Sequence, residues 1–162
     1  MNRSKGPLRG LARSALVAGC LLAFGGCTPV SAGFIAVTDG VYTLTIPERC
    51  GRKIVSVSVA YYSATEPSPD LWVASAEVEV ASNHVVLFQP NDGYVTEGDA
   101  SGIDFSKELT IGWGEGATDS PGGVTGVLGT LGPDDVLWTN GITTAGELDR
   151  QISSAVPGSY RC

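Results

Sequence analysis

The stretch IVSVSVAYY, residues 54–62, indicates the fold class of this chain. Larger apolar residues alternate along it with small ones, namely Val55, Val57, Val59 and Tyr61 with Ser56, Ser58 and Ala60. Because successive side chains of a β-strand point to opposite faces, this alternation places one face on a core and the other in water. The stretch therefore predicts a half-buried strand.

Similar stretches follow one another along most of the chain. VYTLTI (41–46) and LWVASAEVEV (71–80) show the same alternation, and HVVLFQ (84–89) is apolar on both faces. The short turn at 81–83 between the last two favours a hairpin. Further strands are expected at ELTIGW (108–113), VTGVLGTL (124–131) and VLWT (136–139). Short strands at about 8–12-residue spacing predict an all-β domain, an immunoglobulin-like or related β-sandwich.

One helical signal lies near the end of the chain. Thr144 and Glu147 have the spacing of a capping box, and Leu148 and Ile152 then fall on one helix face. We therefore expect one short C-terminal helix over about 144–153.

A glycine-rich segment, GEGATDSPGG (114–123), precedes the later strands. It lacks the Gly-Lys-Ser/Thr sequence and the strand-to-helix context of a phosphate-binding loop. We expect its glycines to form turns that need positive φ.

The N-terminus has the layout of a secretory signal. Four basic residues and no acid lie within residues 1–13, and the next eleven residues, SALVAGCLLAF, carry no charge. A basic segment followed by a short apolar one is typical of a signal peptide. The apolar run is shorter than the run of about 20 residues that spans a bilayer. We therefore expect export without a permanent transmembrane anchor.

Two cleavage positions compete within this signal. Phe24-Gly25-Gly26-Cys27 resembles a bacterial lipobox, which predicts a signal peptide over residues 1–26 and a lipid attached to Cys27. Val30-Ser31-Ala32 is a small-x-small site, and cleavage after Ala32 would release a soluble product instead. The two alternatives differ in whether the protein stays on the membrane.

The composition is acidic. The formal net charge of the chain is −7, and loss of a basic signal leaves the remaining body more acidic still. Such a body is repelled by phosphate backbones, so nucleic acid is excluded as a partner, and no motif indicates a cofactor. Residues 27–40 are expected to form an N-terminal tether, and residues 41–162 have a length that suits a single β-sandwich domain.

The cysteines predict a disulfide. With Cys27 lipidated, Cys50 and Cys162 are the two cysteines of the mature body. In an oxidising compartment such a pair forms a disulfide. The bond closes a loop of more than one hundred residues, which the chain-entropy model values at about 4–5 kcal/mol.

Side chains with catalytic or metal-binding chemistry are few. His84, the one histidine, opens a strand, and no G-x-S-x-G supplies a nucleophile, so we expect an exposed histidine and no enzyme. The loop 90–104 carries carboxylates of the kind that calcium prefers, at Asp92, Glu97, Asp99 and Asp104. Their spacing differs from that of an EF-hand loop. Solvated turns are the simpler interpretation, with a calcium site as the alternative.

Three tryptophans are candidates for the core or for a ligand surface. Trp72 lies in a predicted strand and is expected in the core. Trp113, between glycines, and Trp138, before Thr139, lie near strand ends, where a ring can be presented to a ligand. Together with Tyr94 they form the predicted ligand surface, and burial in the core is the alternative.

The combination of these features resembles a known class of exported protein. A basic start, an apolar segment, Gly25-Gly26-Cys27-Thr28-Pro29 and a small acidic all-β body with a cysteine pair are similar to the small lipoproteins of high-GC Gram-positive bacteria. The resemblance implies a body anchored by acylated Cys27 to the outer side of the cell membrane. We expect it to bind a protein or an envelope polymer. A soluble secreted β-domain and a small envelope hydrolase that uses the carboxylates of loop 90–104 are the alternatives.

Overall fold

A computed structural model describes residues 30–116, 118–154 and 160–161. The first half of the described chain forms strands β1 (Val30–Ser31), β2 (Phe34–Thr38), β3 (Val41–Thr45), β4 (Ile54–Tyr61), β5 (Asp70–Ser75) and β6 (His84–Val86). The second half forms β7 (Val95–Gly98), β8 (Leu109–Glu115), β9 (Thr118–Gly126), β10 (Asp135–Trp138), β11 (Gly141–Thr144), the helix α1 (Ala145–Ser154) and β12 (Tyr160–Arg161).

Ten of these strands form two antiparallel sheets. Sheet I has the order β11-β10-β2-β3-β6, and sheet II has the order β7-β5-β4-β8-β9. Strands β1 and β12 form a separate parallel pair. The architecture confirms the prediction of an all-β sandwich with one short C-terminal helix.

The core lies between the two sheets. Ile35 and Leu44 of sheet I pack in one cluster with Val57, Trp72 and Ile111 of sheet II, and all five are buried. Burying each large aliphatic side chain contributes about 1.5–3 kcal/mol. The alternation in residues 54–62 thus has the predicted consequence, since Val57 and Val59 face the core while Ser56 is exposed.

Helix α1 covers the outer face of sheet I. Its Leu148 packs against Val136 and Trp138 of β10, in a second apolar cluster that Phe34 also joins. The predicted cap is present, because the Thr144 hydroxyl accepts a hydrogen bond of 3.3 Å from the Glu147 N–H. Within the described residues, no helix is long and apolar enough to cross a membrane.

The segment expected as a tether contributes a central strand. Strand β2 lies between β10 and β3 in sheet I. Its side chains alternate, since Ile35 faces the sandwich core while Phe34 and Ala36 face α1. The domain boundary predicted at residue 41 therefore lies too late. If this segment were a free linker, Ile35 would lose its burial in the sandwich core, and Phe34 and Ala36 would lose their contact with the α1 cluster.

The predicted hairpin between 71–80 and 84–89 is wrong. Strand β5 ends at Ser75, and Val78 and Val80 are 47% and 55% exposed in the turn that follows. Strand β6 then pairs with β3, so β5 and β6 belong to different sheets. The chain crosses the sandwich here because Val85 and Leu87 bury against the core from the opposite side.

Most of the described glycine-rich segment is strand rather than turn. Strand β9 runs through it, and the glycines with positive φ in the described chain lie elsewhere, at Gly40, Gly51, Gly93, Gly98 and Gly141. A Cβ on Gly122 would lie 2.1 Å from the Trp113 ring, and one on Gly33 would lie 2.4 Å from the same ring. Glycine is needed here because the backbone passes directly against a buried indole. Beyond Gly126 the predicted strand 124–131 gives way to a 3-10 turn at Leu128–Thr130.

Candidate functional site

The structure places the predicted tryptophan surface inside the protein. Trp113 is 2% exposed and Trp138 is 3% exposed. The Trp113 indole donates to Glu115 Oε1 at 3.3 Å, and Trp138 packs under Leu148 of α1. Both rings therefore stabilise the core, as Trp72 does. Neither ring is exposed to a ligand, so the prediction of a ligand surface at these tryptophans is wrong.

Tyr94 is half-buried and ties three chain segments together. Its hydroxyl donates to the Ile54 carbonyl and accepts a bond of 3.0 Å from the Ser82 N–H. Burial raises the pKa of this phenol above its ordinary value, and the Ser82 bond opposes that change. The hydroxyl acts as a structural bridge rather than as part of a ligand surface.

The acidic loop does not form a metal centre in the described chain. Asp99 accepts bonds from the N–H and hydroxyl of Ser101, and Asp104 does the same with Ser106. These hydrogen bonds lower the pKa of both carboxyls. Among the described residues, no group of three metal-binding side chains is brought together. The calcium candidates Asp92, Glu97, Asp99 and Asp104 thus remain separate exposed side chains, and two of them, Asp99 and Asp104, cap turns through the N–H groups of the serines that follow.

The predicted cysteine and histidine residues divide between described and undescribed parts of the chain. Cys50 is disulfide-bonded and packs at the edge of the core. Its pairing with Cys162 stays a prediction, because Cys162 lies outside the described residues, as does the lipid-attachment residue Cys27. His84 is exposed at the start of β6, with its ring Nδ1 3.1 Å from the Ser82 hydroxyl.

A groove that the sequence did not indicate lies on sheet II. Residues 62–69 connect β4 to β5 and form one wall, and the outer face of the sheet forms the floor. We call this space of about 470 Å³ the loop groove. Ser58 and Thr110 lie on its floor, and Glu66 and Asp70 lie along its wall. Eight of its twelve lining residues carry a hydroxyl or a carboxylate group, and alanine, proline and glycine supply the others.

Local hydrogen bonds hold the wall of the loop groove in place. The Ser63 hydroxyl accepts from the N–H groups of Thr65 and Glu66, at 3.4 and 3.2 Å. At the end of β4, the Tyr61 hydroxyl accepts a bond of 2.9 Å from the Asp104 N–H. Lys107 Nζ lies 5.3 Å from the centre of the Tyr61 ring, within cation–π range. These contacts restrict the first part of the wall and the end of β4.

A shallower depression continues the loop groove along the same face. We call it the adjoining trough; its volume is about 390 Å³, and it shares Ser58 and Gly112 with the loop groove. Ser56 and Ser75 line its far part, and the rest of its lining is mainly apolar and includes Val73 and Pro121. Together the two spaces follow β4 and β8 across the outer face of sheet II.

A third open space lies on the opposite side of the molecule. It occupies about 370 Å³ between α1 and the start of β2, and its apolar lining includes Phe34, Pro47 and Ile152. The carboxylates of Glu48 and Asp149 lie at this apolar groove as well. This groove exists because the ten residues of α1 cover only part of the outer face of sheet I.

Known proteins give no functional assignment for this fold. The chain matches no family model, no curated protein and no solved structure. Function is therefore inferred from the fold and from the chemistry of its open grooves.

Proposed function

We propose that this protein is an exported binding module, anchored to the outer side of the cell membrane through acylated Cys27. The basic and apolar N-terminal segments support export, and Gly25-Gly26-Cys27 supports lipid attachment. The loop groove supports binding, because it is a preformed depression lined by groups that donate and accept hydrogen bonds.

One structural observation favours cleavage before Cys27 over cleavage after Ala32. Ala32 is 1% exposed, and the neighbouring strand β1 pairs with β12. Cleavage after Ala32 would remove both a core side chain and one strand of this pair. The fold thus makes use of residues that the soluble secreted form would lack, which supports the lipid-anchored form.

The mass of the mature N-terminus tests the anchor. The native host should yield a mature chain that begins at an acylated Cys27 and sediments with membranes. The Cys27→Ala variant should lose both the lipid and the membrane association. The matched control is Cys20→Ala, which alters a cysteine of the apolar signal segment and should leave both unchanged.

A mature chain that begins at Gly33 would overturn the anchor. It would also require the body to fold without Ala32, which the burial of that side chain makes unfavourable. Membrane association that survives the Cys27→Ala variant would equally contradict attachment at this residue.

A further inference from the structure

We infer that the loop groove and the adjoining trough bind a linear, uncharged polysaccharide chain. This inference rests on the proposed function and names the class of ligand that the module would bind. It is carried by the chemistry of the floor, the carboxylates of the wall, the restricted conformation of the wall and the open, elongated shape.

The floor suits a ligand rich in hydroxyl groups. The outward positions of β4 and β8 are all small and uncharged, at Ser56, Ser58, Ala60, Thr110, Gly112 and Gly114. Serine and threonine hydroxyls both donate and accept hydrogen bonds, as sugar hydroxyls do. The chain has 27 charged residues, and none of them occupies these positions. The floor therefore has no charged side chain that could pair with a charged ligand.

The wall adds two strong acceptors. Glu66 and Asp70 line the loop groove, and neither carboxylate makes a hydrogen bond or an ion pair with another described residue. An ionised carboxylate accepts hydrogen bonds from hydroxyl groups that are roughly twice as strong as neutral ones. Each can therefore accept from sugar hydroxyls above the floor.

Tyr61 holds one end of the loop groove from the core side, since it packs against the core cluster. The Asp104 N–H fixes its hydroxyl, and Lys107 lies against its ring. Pro67 and Pro69 limit the conformations of the loop that forms the wall. A wall with restricted conformations loses little freedom on binding.

The shape favours a chain over a compact small molecule. The two spaces share Ser58 and Gly112, and both are open to solvent along the sheet. Strand β4 advances by about 13 Å between positions 56 and 60, at about 3.3 Å per residue. Glycines beside Ser56 and Ser58 keep the floor low, since a Cβ on Gly114 would lie 2.6 Å from the Ser56 hydroxyl oxygen.

Binding of neutral oligosaccharides by the purified mature protein in detergent tests this inference. The probes are linear galactan, mannan and α-glucan oligosaccharides, with oligolysine as a cationic competitor. Titration calorimetry should detect binding of at least one oligosaccharide. Amide resonances of residues 58, 110 and 112 should shift, while those of the apolar groove at α1 should not.

Two variants locate the site. Glu66→Gln combined with Asp70→Asn should weaken binding about tenfold or more, because two charge-assisted acceptors are lost. Both positions are exposed, so the fold should be retained, which circular dichroism checks. The matched control is Glu77→Gln with Glu79→Gln, which removes the same charge from the exposed turn 77–80 and should leave binding unchanged.

Each contrary result overturns the inference in a distinct way. A neutral polysaccharide is excluded as the ligand if none of the neutral oligosaccharides binds. It is also excluded if oligolysine alone binds and high salt abolishes that binding. Binding that ignores the Glu66 and Asp70 substitutions would exclude the site. The proposed anchor is tested separately. An acylated Cys27 without saccharide binding would contradict only the ligand class. Saccharide binding by a chain that begins at Gly33 would contradict only the anchor.

Discussion

Arg52 and Glu115 form an ion pair at the end of sheet II. Glu115 is 4% exposed and is the buried charged residue of the described chain. Its carboxylate also accepts from the Trp113 indole N–H, so donors reach both of its oxygens. Buried charge is tolerated here because hydrogen bonds replace the lost water.

Arg52→Ala should therefore destabilise the fold by about 2–3 kcal/mol. The substitution removes the Arg52 cation from the buried Glu115 carboxylate. Breaking a fully buried pair costs about 3–5 kcal/mol, and the partial exposure of Arg52 reduces that figure. Urea denaturation measures the free energy of unfolding. The control is Arg150→Ala, which breaks the exposed Arg150–Glu147 pair and should cost about 0.5 kcal/mol or less. Equal effects of the two variants would contradict the structural role of Glu115.

Gly122→Ala should destabilise the protein by about 1–3 kcal/mol, the range for an overpacked core. Its added Cβ would lie 2.1 Å from the Trp113 ring, so the indole or strand β9 must move. The neighbouring Gly123→Ala is the control, because the nearest atom to its Cβ is the Ile111 carbonyl oxygen at 3.4 Å. Thermal unfolding and Trp113 fluorescence should separate the two. A Gly122→Ala variant as stable as Gly123→Ala would show that this contact is loose.

The elements that could be predicted from sequence are those whose signal is local. The alternation in 54–62 gave strand β4, and the spacing of Thr144, Glu147 and Leu148 gave α1, because each depends on neighbours in the chain. Asp39-Gly40, between alternating residues, is a strong hairpin signal. It marks the β2–β3 hairpin that the tether prediction missed.

The failed predictions depend on contacts distant in sequence. Val78 and Val80 continue the alternation of β5, yet the sheet ends before them because the chain crosses to sheet I. The loop groove needs β4 beside β8 and a loop folded above both. The sequence shows that Ser56, Ser58 and Gly112 are small and uncharged, but no local pattern predicts that β4 and β8 lie side by side. The prediction that Trp113 is exposed failed for the same reason. The glycines that cover its ring, Gly33 and Gly122 of β9, are distant from it in sequence or reach it only through strand pairing.

Peptide mapping without reduction should recover one peptide that joins Cys50 to Cys162. Cys50 is disulfide-bonded in the described chain, and Cys50→Ser should lower the free energy of unfolding by about 2–5 kcal/mol. Cys20→Ser is the control, because the proposed cleavage before Cys27 would remove that residue from the mature chain. A peptide joining Cys50 to Cys27 would contradict both this pairing and lipid attachment at Cys27.

Tyr94→Phe should cost about 1–2 kcal/mol at neutral pH. The substitution removes the hydroxyl that joins the Ile54 carbonyl to the Ser82 N–H, and each half-buried backbone group loses a partner. Tyr62→Phe is the matched control, because that side chain is half-exposed and its hydroxyl makes no hydrogen bond with a described residue. It should change stability by less than about 0.5 kcal/mol.

The stability gap between wild type and Tyr94→Phe should narrow in alkali. Burial raises the pKa of Tyr94 in the folded state, so the folded protein holds this proton more tightly than the unfolded chain does. Stability from the protonated phenol is fully present below the ordinary tyrosine pKa of about 10. It is lost as the pH rises from there through the raised folded value. Urea titrations at neutral and alkaline pH measure the gap. A gap that stayed constant or widened would show that Tyr94 ionises at least as readily in the folded protein as in the unfolded chain.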